Sequence, residues 1–160
     1  MMQSFFELVG DTKPAMIINV TAYGGVAIIP NTSSYSLSKL IQIRMQRFVT
    51  VKNPNITAVS LHPGTVLTGI TKRQFKKFSK DTFALAGGVA VWLATEHAKF
   101  VNGRYMGVNW SVAELMERKD EIISKGLMLV ELHRESPVRR LSVSEEHDFC
   151  RLKVFWRSGL

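Results

Sequence analysis

The apolar positions of this chain fall into short unbroken runs that alternate with longer segments of helical spacing. "AMIINV", 15–20, follows Pro14 and is rich in β-branched residues, which predicts a buried strand. "TAYGGVAIIPNTSS" carries Gly24, Gly25 and Pro30 and predicts a loop. Ser33 or Ser34 is placed to cap a helix, since a serine hydroxyl accepts from the free N–H groups of a first turn. Leu37, Leu40, Ile41, Ile43, Met45, Phe48 and Val49 predict that helix over 35–51, and "NPN" at 53–55 ends it. "ITAVSL", 56–61, is a second buried strand that runs into Pro63–Gly64. From about Thr82, "DTFALAGGVAVWLATEH" predicts a helix of small and apolar residues, whose Gly87–Gly88 pair would admit a close neighbour at some cost in propensity. "NGRYMGVNW" offers a third strand within 103–109. "SVAELMERKDEIISKG" predicts an amphipathic helix that stops at Gly126. Two strand–helix–strand crossovers in succession predict a parallel α/β sheet.

Beyond about Leu132 neither period persists, so the chain divides into a domain over 1–132 and an appended basic tail over 133–160. "RRLS", 139–142, is a short basic-x-Ser pattern of the kind kinases use. His147 and Cys150 supply two ligand types at i, i+3, but nothing nearby completes a set of four, and no metal is expected. With 46% hydrophobic and 21% charged residues, the composition is that of a soluble domain with a sizeable core. Cys150 is the single cysteine, which excludes an intrachain disulfide and makes a reducing, cytoplasmic setting the expectation. The start, "MMQSFFELVGDTKP", lacks a basic n-region and reaches Glu7 early, unlike a signal peptide. No apolar run is long enough for a membrane span.

The formal net charge is +8. Such a balance can attract nucleic acid. Lys72, Arg73, Lys76, Lys77 and Lys80 cluster around Phe75 and Phe78, while Arg134, Arg139, Arg140, Arg151, Lys153 and Arg157 are scattered through the tail. No nucleic-acid motif accompanies these charges, so a nucleic-acid partner is disfavoured. The plainer expectation is a solvated segment with its two rings turned inward.

Candidate chemistry sits at the start of the first predicted helix. Tyr35 and Lys39 are four residues apart and share a helix face. A lysine ammonium beside a phenol favours the phenolate, one way to make a side chain that ordinarily titrates near pH ~10 usable in proton transfer at neutrality. A Y-x-x-x-K spacing alone also fits a core-packed tyrosine with a solvated lysine. The order in which it is embedded is more specific: "IINV", a glycine-bearing loop, Tyr35 and Lys39, "ITAVSL", then "HPG" and "VLT". This order resembles the C-terminal half of the short-chain dehydrogenase/reductase family over about residues 4–130. "GRYMGVNWSVAELMERKDEI" is similar to the end of a fungal branch of that family.

The resemblance implies a partial Rossmann-type three-layer parallel sheet of about three strands with flanking helices. It implies hydride transfer between NAD or NADP and a small-molecule carbonyl or alcohol substrate. Tyr35 would be the general acid/base, and Lys39 would support it and bind the nicotinamide ribose. Pro63, Gly64, the backbone near Val66 and the hydroxyl of Thr68 would hold the nicotinamide end. Residues 69–81 would be the substrate-covering segment, giving its cations a second plain reading as the outside of a lid.

Two features depart from the family. The catalytic serine lies thirteen residues before the tyrosine, and Ala22 stands there without a hydroxyl. Thr21 is the alternative donor, although neighbouring side chains in an extended segment point to opposite sides. The chain also contains no G-x-x-x-G-x-G loop to cradle a pyrophosphate, so the N-terminal half of the fold is expected to be absent, and cofactor binding and activity are expected to be weak. The exposed edge of "AMIINV" and the family's dimer helix, here Tyr35–Val51, predict self-association. A non-catalytic remnant acting through that helix is the alternative function.

Overall fold

Parallel pairing of the apolar runs builds one open sheet in the order β1 (Ala15–Val20), β2 (Ile56–His62), β3 (Tyr105–Gly107). The computed structural model describes residues 2–130, apart from Ile70 and Lys72. The predicted tail, with the "RRLS" pattern, His147 and Cys150, lies outside the described residues. Ala15 pairs with Ile56 and Val20 with Leu61; Ser60 pairs with Tyr105 and His62 with Gly107. The helices are α1 (Met2–Val9), α2 (Ser33–Lys52), α3 (Phe83–Leu93), α4 (Val112–Glu117) and α5 (Lys119–Ser124).

Side chains alternate across a strand, and both faces of this sheet are apolar. Ile56 and Ala58, with Ala15 and Ile17, pack against Val49 of α2 and against Met2, Phe5, Phe6 and Val9 of α1. Val59 and Leu61, with Met16 and Ile18, pack against Val89 and Leu93 of α3, Leu115 of α4 and Ile122 of α5. The strand–helix order predicted the parallel α/β sheet, and the result is the partial Rossmann-type three-layer arrangement that the resemblance implied. No helix among the described residues is long and apolar enough to cross a membrane.

Several local expectations change. β1 is half-buried rather than buried, with Val20 54% exposed, because among the described residues it pairs on one side only. The cap of α2 is Thr32, not Ser33 or Ser34. The Thr32 hydroxyl donates to the Ile29 carbonyl at 2.8 Å instead of accepting from the helix. α3 does begin as predicted, with the Thr82 hydroxyl accepting from the Leu85 N–H at 3.2 Å. The single terminal helix is two, because Arg118 leaves helical geometry at φ −95°, ψ 14°. Gly126 closes α5 at φ +60°, with the Leu127 N–H bonded to the Ile122 carbonyl at 3.0 Å. Phe78 is exposed rather than turned inward, with Lys77 Nζ 4.8 Å from its ring centroid. The close neighbour expected at Gly87–Gly88 is missing, since a Cβ at either would meet nothing within 4 Å among the described residues.

Glycine matters instead at Gly25, in the turn after β1. A Cβ there would lie 2.8 Å from Ile43 Cδ1 and 3.0 Å from the Lys39 carbonyl carbon, so the turn can approach α2 only with glycine. Gly25→Ala is expected to cost about 1–3 kcal/mol through overpacking, whereas Gly87→Ala should stabilise by roughly 0.5–1 kcal/mol through helix propensity. Urea denaturation of the two variants checks the contrast; equal midpoints would remove the steric argument.

The carboxyl half of β2 buries polar atoms. Gln46 Oε1, Ser60 Oγ, His62 Nδ1 and the Tyr105 hydroxyl have no hydrogen-bond partner among the described residues. Burial pushes the Tyr105 phenol well above its ordinary range, with a smaller push from Tyr23. Burial also pushes the His62 imidazole below its ordinary range, and the nearby Asp81 charge opposes this more weakly. An unfolded histidine, titrating near ~6.5, therefore binds a proton at pH values where folded His62 does not. Stability from this group is present above pH ~6.5 and is lost as pH falls toward the depressed folded value. A urea midpoint measured from pH 7.5 to pH 5.5 (chosen to span about one unit either side of the ordinary value) should fall on acidification, and less so in His62→Gln. An equal fall in both proteins would assign the effect to other groups.

Candidate active site at the carboxyl ends of the strands

Parallel strands bring three chain segments to one end of the sheet, where open α/β folds place ligands. β1 ends into Thr21, Ala22 and a tight turn over Tyr23–Gly25; β2 ends into Pro63–Gly64; β3 ends into Val108, Asn109 and Trp110. The ladder runs on past β1, since the Thr21 N–H donates to the Leu61 carbonyl at 2.8 Å.

α2 starts over the β1 end. A Cβ at Gly24 would touch Tyr35 Cε1 at 3.7 Å, so the Tyr35 ring lies against the turn, yet it remains 52% exposed. One helical turn on, Lys39 Nζ stands 5.8 Å from the Tyr35 ring centroid. The ammonium donates to Gln42 Oε1 at 3.2 Å and lies 3.5 Å from the Val20 carbonyl. Tyr35 and Lys39 are thus side by side above the last residue of β1. An ammonium over an aromatic face is itself attractive.

Thr21 is 3% exposed, and its hydroxyl donates to the Lys39 carbonyl at 3.2 Å. Its proton therefore goes to the backbone of α2. Ala22 is extended at φ −152°, ψ 158°, so its methyl points to the opposite side from the Thr21 hydroxyl. No hydroxyl stands at position 22, where the family resemblance implied a serine.

Pro63, Gly64, Val66 and Thr68 follow β2 as one loop. Gly64 has φ +79°, a left-handed conformation that favours glycine. Thr68 is exposed, and its N–H donates to Thr71 Oγ1 at 2.9 Å with the two hydroxyls 3.0 Å apart. Thr71 Oγ1 lies 3.3 Å from the Val66 carbonyl, which folds the loop onto itself. Asp81 closes this loop: its carboxylate accepts from the Thr65 N–H and from Asn109 Nδ2. Next to it, the Tyr23 and His62 rings are 6.3 Å apart and the Tyr105 and Trp110 rings 6.3 Å apart.

Asp81, Asn109, His62 and Tyr23 were not among the residues singled out by spacing. One signal was available for Asp81. It is the first carboxylate after a stretch, 63–80, that carries only cations. Among the described residues no group of three or more His, Cys, Asp or Glu side chains could hold a metal.

No family model matches the chain. A short chain dehydrogenase of Monascus purpureus is 33% identical over 121 residues, covering 72% of this chain and 41% of that protein. One of Emericella variicolor is 28% identical over 126 residues, covering 76% and 43%. The chain therefore spans less than half the length of the curated relatives it matches. The fold is shared with a 7 alpha-hydroxysteroid dehydrogenase complexed with NADH and 7-oxo glycochenodeoxycholic acid, at TM-score 0.55 and 18% identity over 66% of this chain and 49% of that one. It is also shared with a 4-hydroxyisoleucine dehydrogenase complexed with NADH, at TM-score 0.51 and 20% identity over 66% and 48%. In sequence and in fold, the chain is a partial member of the short-chain dehydrogenase/reductase family, related to its fungal short chain dehydrogenases.

Proposed function

We propose that this chain carries the proton-transfer and nicotinamide-end half of an NAD- or NADP-dependent oxidoreductase acting on a small carbonyl or alcohol. The observation that carries this reading is the pairing of an exposed Tyr35 with Lys39 at the carboxyl ends of a parallel sheet. Tyr35 would pass a proton to or from the substrate oxygen. Lys39, already close to the Val20 carbonyl and the Tyr35 ring, would hold the ribose. The nicotinamide end fits the residues present: the loop from Pro63 to Thr68 offers backbone groups and a hydroxyl beside the same strand ends. The cofactor, when bound, supplies or accepts the hydride. The pyrophosphate end has no fitted counterpart, because the 160 residues carry no Gly-rich loop.

This reading separates the chemistry into two tests. The 160 residues alone are expected to bind NADH or NADPH very weakly, and Ala22→Ser alone is expected to restore no turnover. Saturable quenching of tryptophan fluorescence at micromolar cofactor would overturn the first expectation. In a chimera that places the N-terminal part of a fungal relative ahead of Ala15, carbonyl-dependent oxidation of the nicotinamide cofactor should appear. There Tyr35→Phe should cost about 10²–10⁴-fold, and Ala22→Ser should raise the rate by up to roughly 10²–10³-fold. Turnover that survives Tyr35→Phe would defeat the proposed role.

A second reading has its own support. Leu37, Ile41, Met45, Phe48 and Val51 leave an apolar stripe exposed along α2, and a stripe of this kind marks a protein contact. Under this reading the chain self-associates through the Tyr35–Val51 helix and acts as a non-catalytic partner. Light scattering on the purified chain should show a mass above the monomer, reduced to the monomer by Ile41→Glu with Phe48→Glu. An oligomer that persists in that double variant would place the contact elsewhere.

A further inference from the structure

We propose that Asp81 is a positioning residue that latches the segment from Pro63 to Lys80 at its base. The segment leaves the sheet after His62 and returns at Asp81, one residue ahead of the Thr82 cap of α3. At that point four observations converge on one residue. Asp81 Oδ2 accepts from the Thr65 N–H. The Asp81 N–H donates back to the Thr65 carbonyl at 3.3 Å, and Val66 pairs with Asp81 in an isolated parallel bridge. Asp81 Oδ1 accepts from Asn109 Nδ2 at 3.1 Å. One carboxylate thus joins the loop after β2, the loop after β3 and the start of α3.

The surroundings are shaped for it. A Cβ at Gly64 would fall within 2.8 Å of the Asp81 carboxyl group, so glycine there serves both the left-handed backbone and the room the carboxylate occupies. The sequence from Pro63 to Lys80 contains cations and no Asp or Glu. No other acid within the segment can take over the Thr65 N–H. Hydrogen bonds to an ionised acceptor are the stronger kind, and removal of the acceptor leaves a donor unmet. The latch fixes where Pro63, Gly64 and Val66 stand relative to the strand ends.

Amide hydrogen exchange on the full 160-residue chain tests the latch directly. Asp81→Ala should speed exchange at the Thr65 amide and at the residue-81 amide that donates back to it by roughly ten- to a hundredfold, the scale of a hydrogen bond to a charged group, while the β1–β2 amides keep their protection. Asn109→Asp should loosen the same amides by setting two carboxylates against each other. Combining it with Asp81→Asn exchanges the two partners and should recover the protection. A side chain that merely fills space would show no such recovery. Unchanged exchange in Asp81→Ala, equal loss across β1 and β2, or no recovery in the exchanged pair would each overturn the proposal. The step from latch to catalysis rests on the dehydrogenase reading. In the active chimera Asp81→Ala should raise KM at least about tenfold more than it lowers kcat. Exchange is measured without turnover, so a failed latch and a failed enzyme give different results.

Discussion

The parallel pairing of β1 with β2 is the constraint on which the rest depends. Six register pairs, from Ala15–Ile56 to Val20–Leu61, hold two apolar strands side by side with their carboxyl ends together. A parallel pair needs a long crossover, and α2 is that crossover. The connection returns antiparallel to the strands, so its first turn comes down over the end of β1. That is why Tyr35 and Lys39, far from β1 in sequence, stand beside Val20 and Thr21. The hydrogen bond from Thr21 to the Lys39 carbonyl and the contact between Lys39 Nζ and the Val20 carbonyl fix the helix start at that end. Gly25 lets the turn fit beneath it.

Elements whose signal is local were legible in the sequence. β1 and β2 are runs of β-branched and apolar residues, and α2 and α3 follow from spacing, from the stop at Asn53 and from the start at Thr82. Elements decided by competition between neighbours were not. Thr32 stands at the cap in place of the serines, and its hydroxyl bonds Ile29 rather than the helix. The last helix breaks at Arg118, where no glycine or proline announces it. α1 carried a readable pattern, Met2, Phe5, Phe6 and Val9, whose meaning depends on an apolar sheet face that waits beneath it.

The site divides in the same way. Tyr35 and Lys39 were legible because helical geometry alone brings i and i+4 together. The opposite facing of Thr21 and Ala22 was legible from strand alternation, whereas the commitment of the Thr21 hydroxyl to the Lys39 carbonyl was not. Asp81 was not legible, because its partners Thr65 and Asn109 lie 16 and 28 residues away along the chain. Only the closing of two loops makes the three neighbours. The buried polar atoms of Gln46, Ser60, His62 and Tyr105 belong to the same class, coming from three separate elements, α2, β2 and β3.

The faces of α2 show how chemistry and association can coexist on one helix. At about 100° per residue, Tyr35, Lys39, Ile43, Gln46 and Val49 fall on one side, toward the sheet and the strand ends. Leu37, Ile41, Phe48 and Val51 fall on the opposite side and are exposed. A contact made through that stripe leaves the Tyr35 ring and the Lys39 ammonium accessible. The open edge of β1 is different. Among the described residues its outer backbone groups are unpaired and call for a strand, and a strand added there would run past Val20 toward Thr21 and Ala22. Association along the helix is therefore neutral to the site, whereas a strand added at the edge of β1 would become part of its wall.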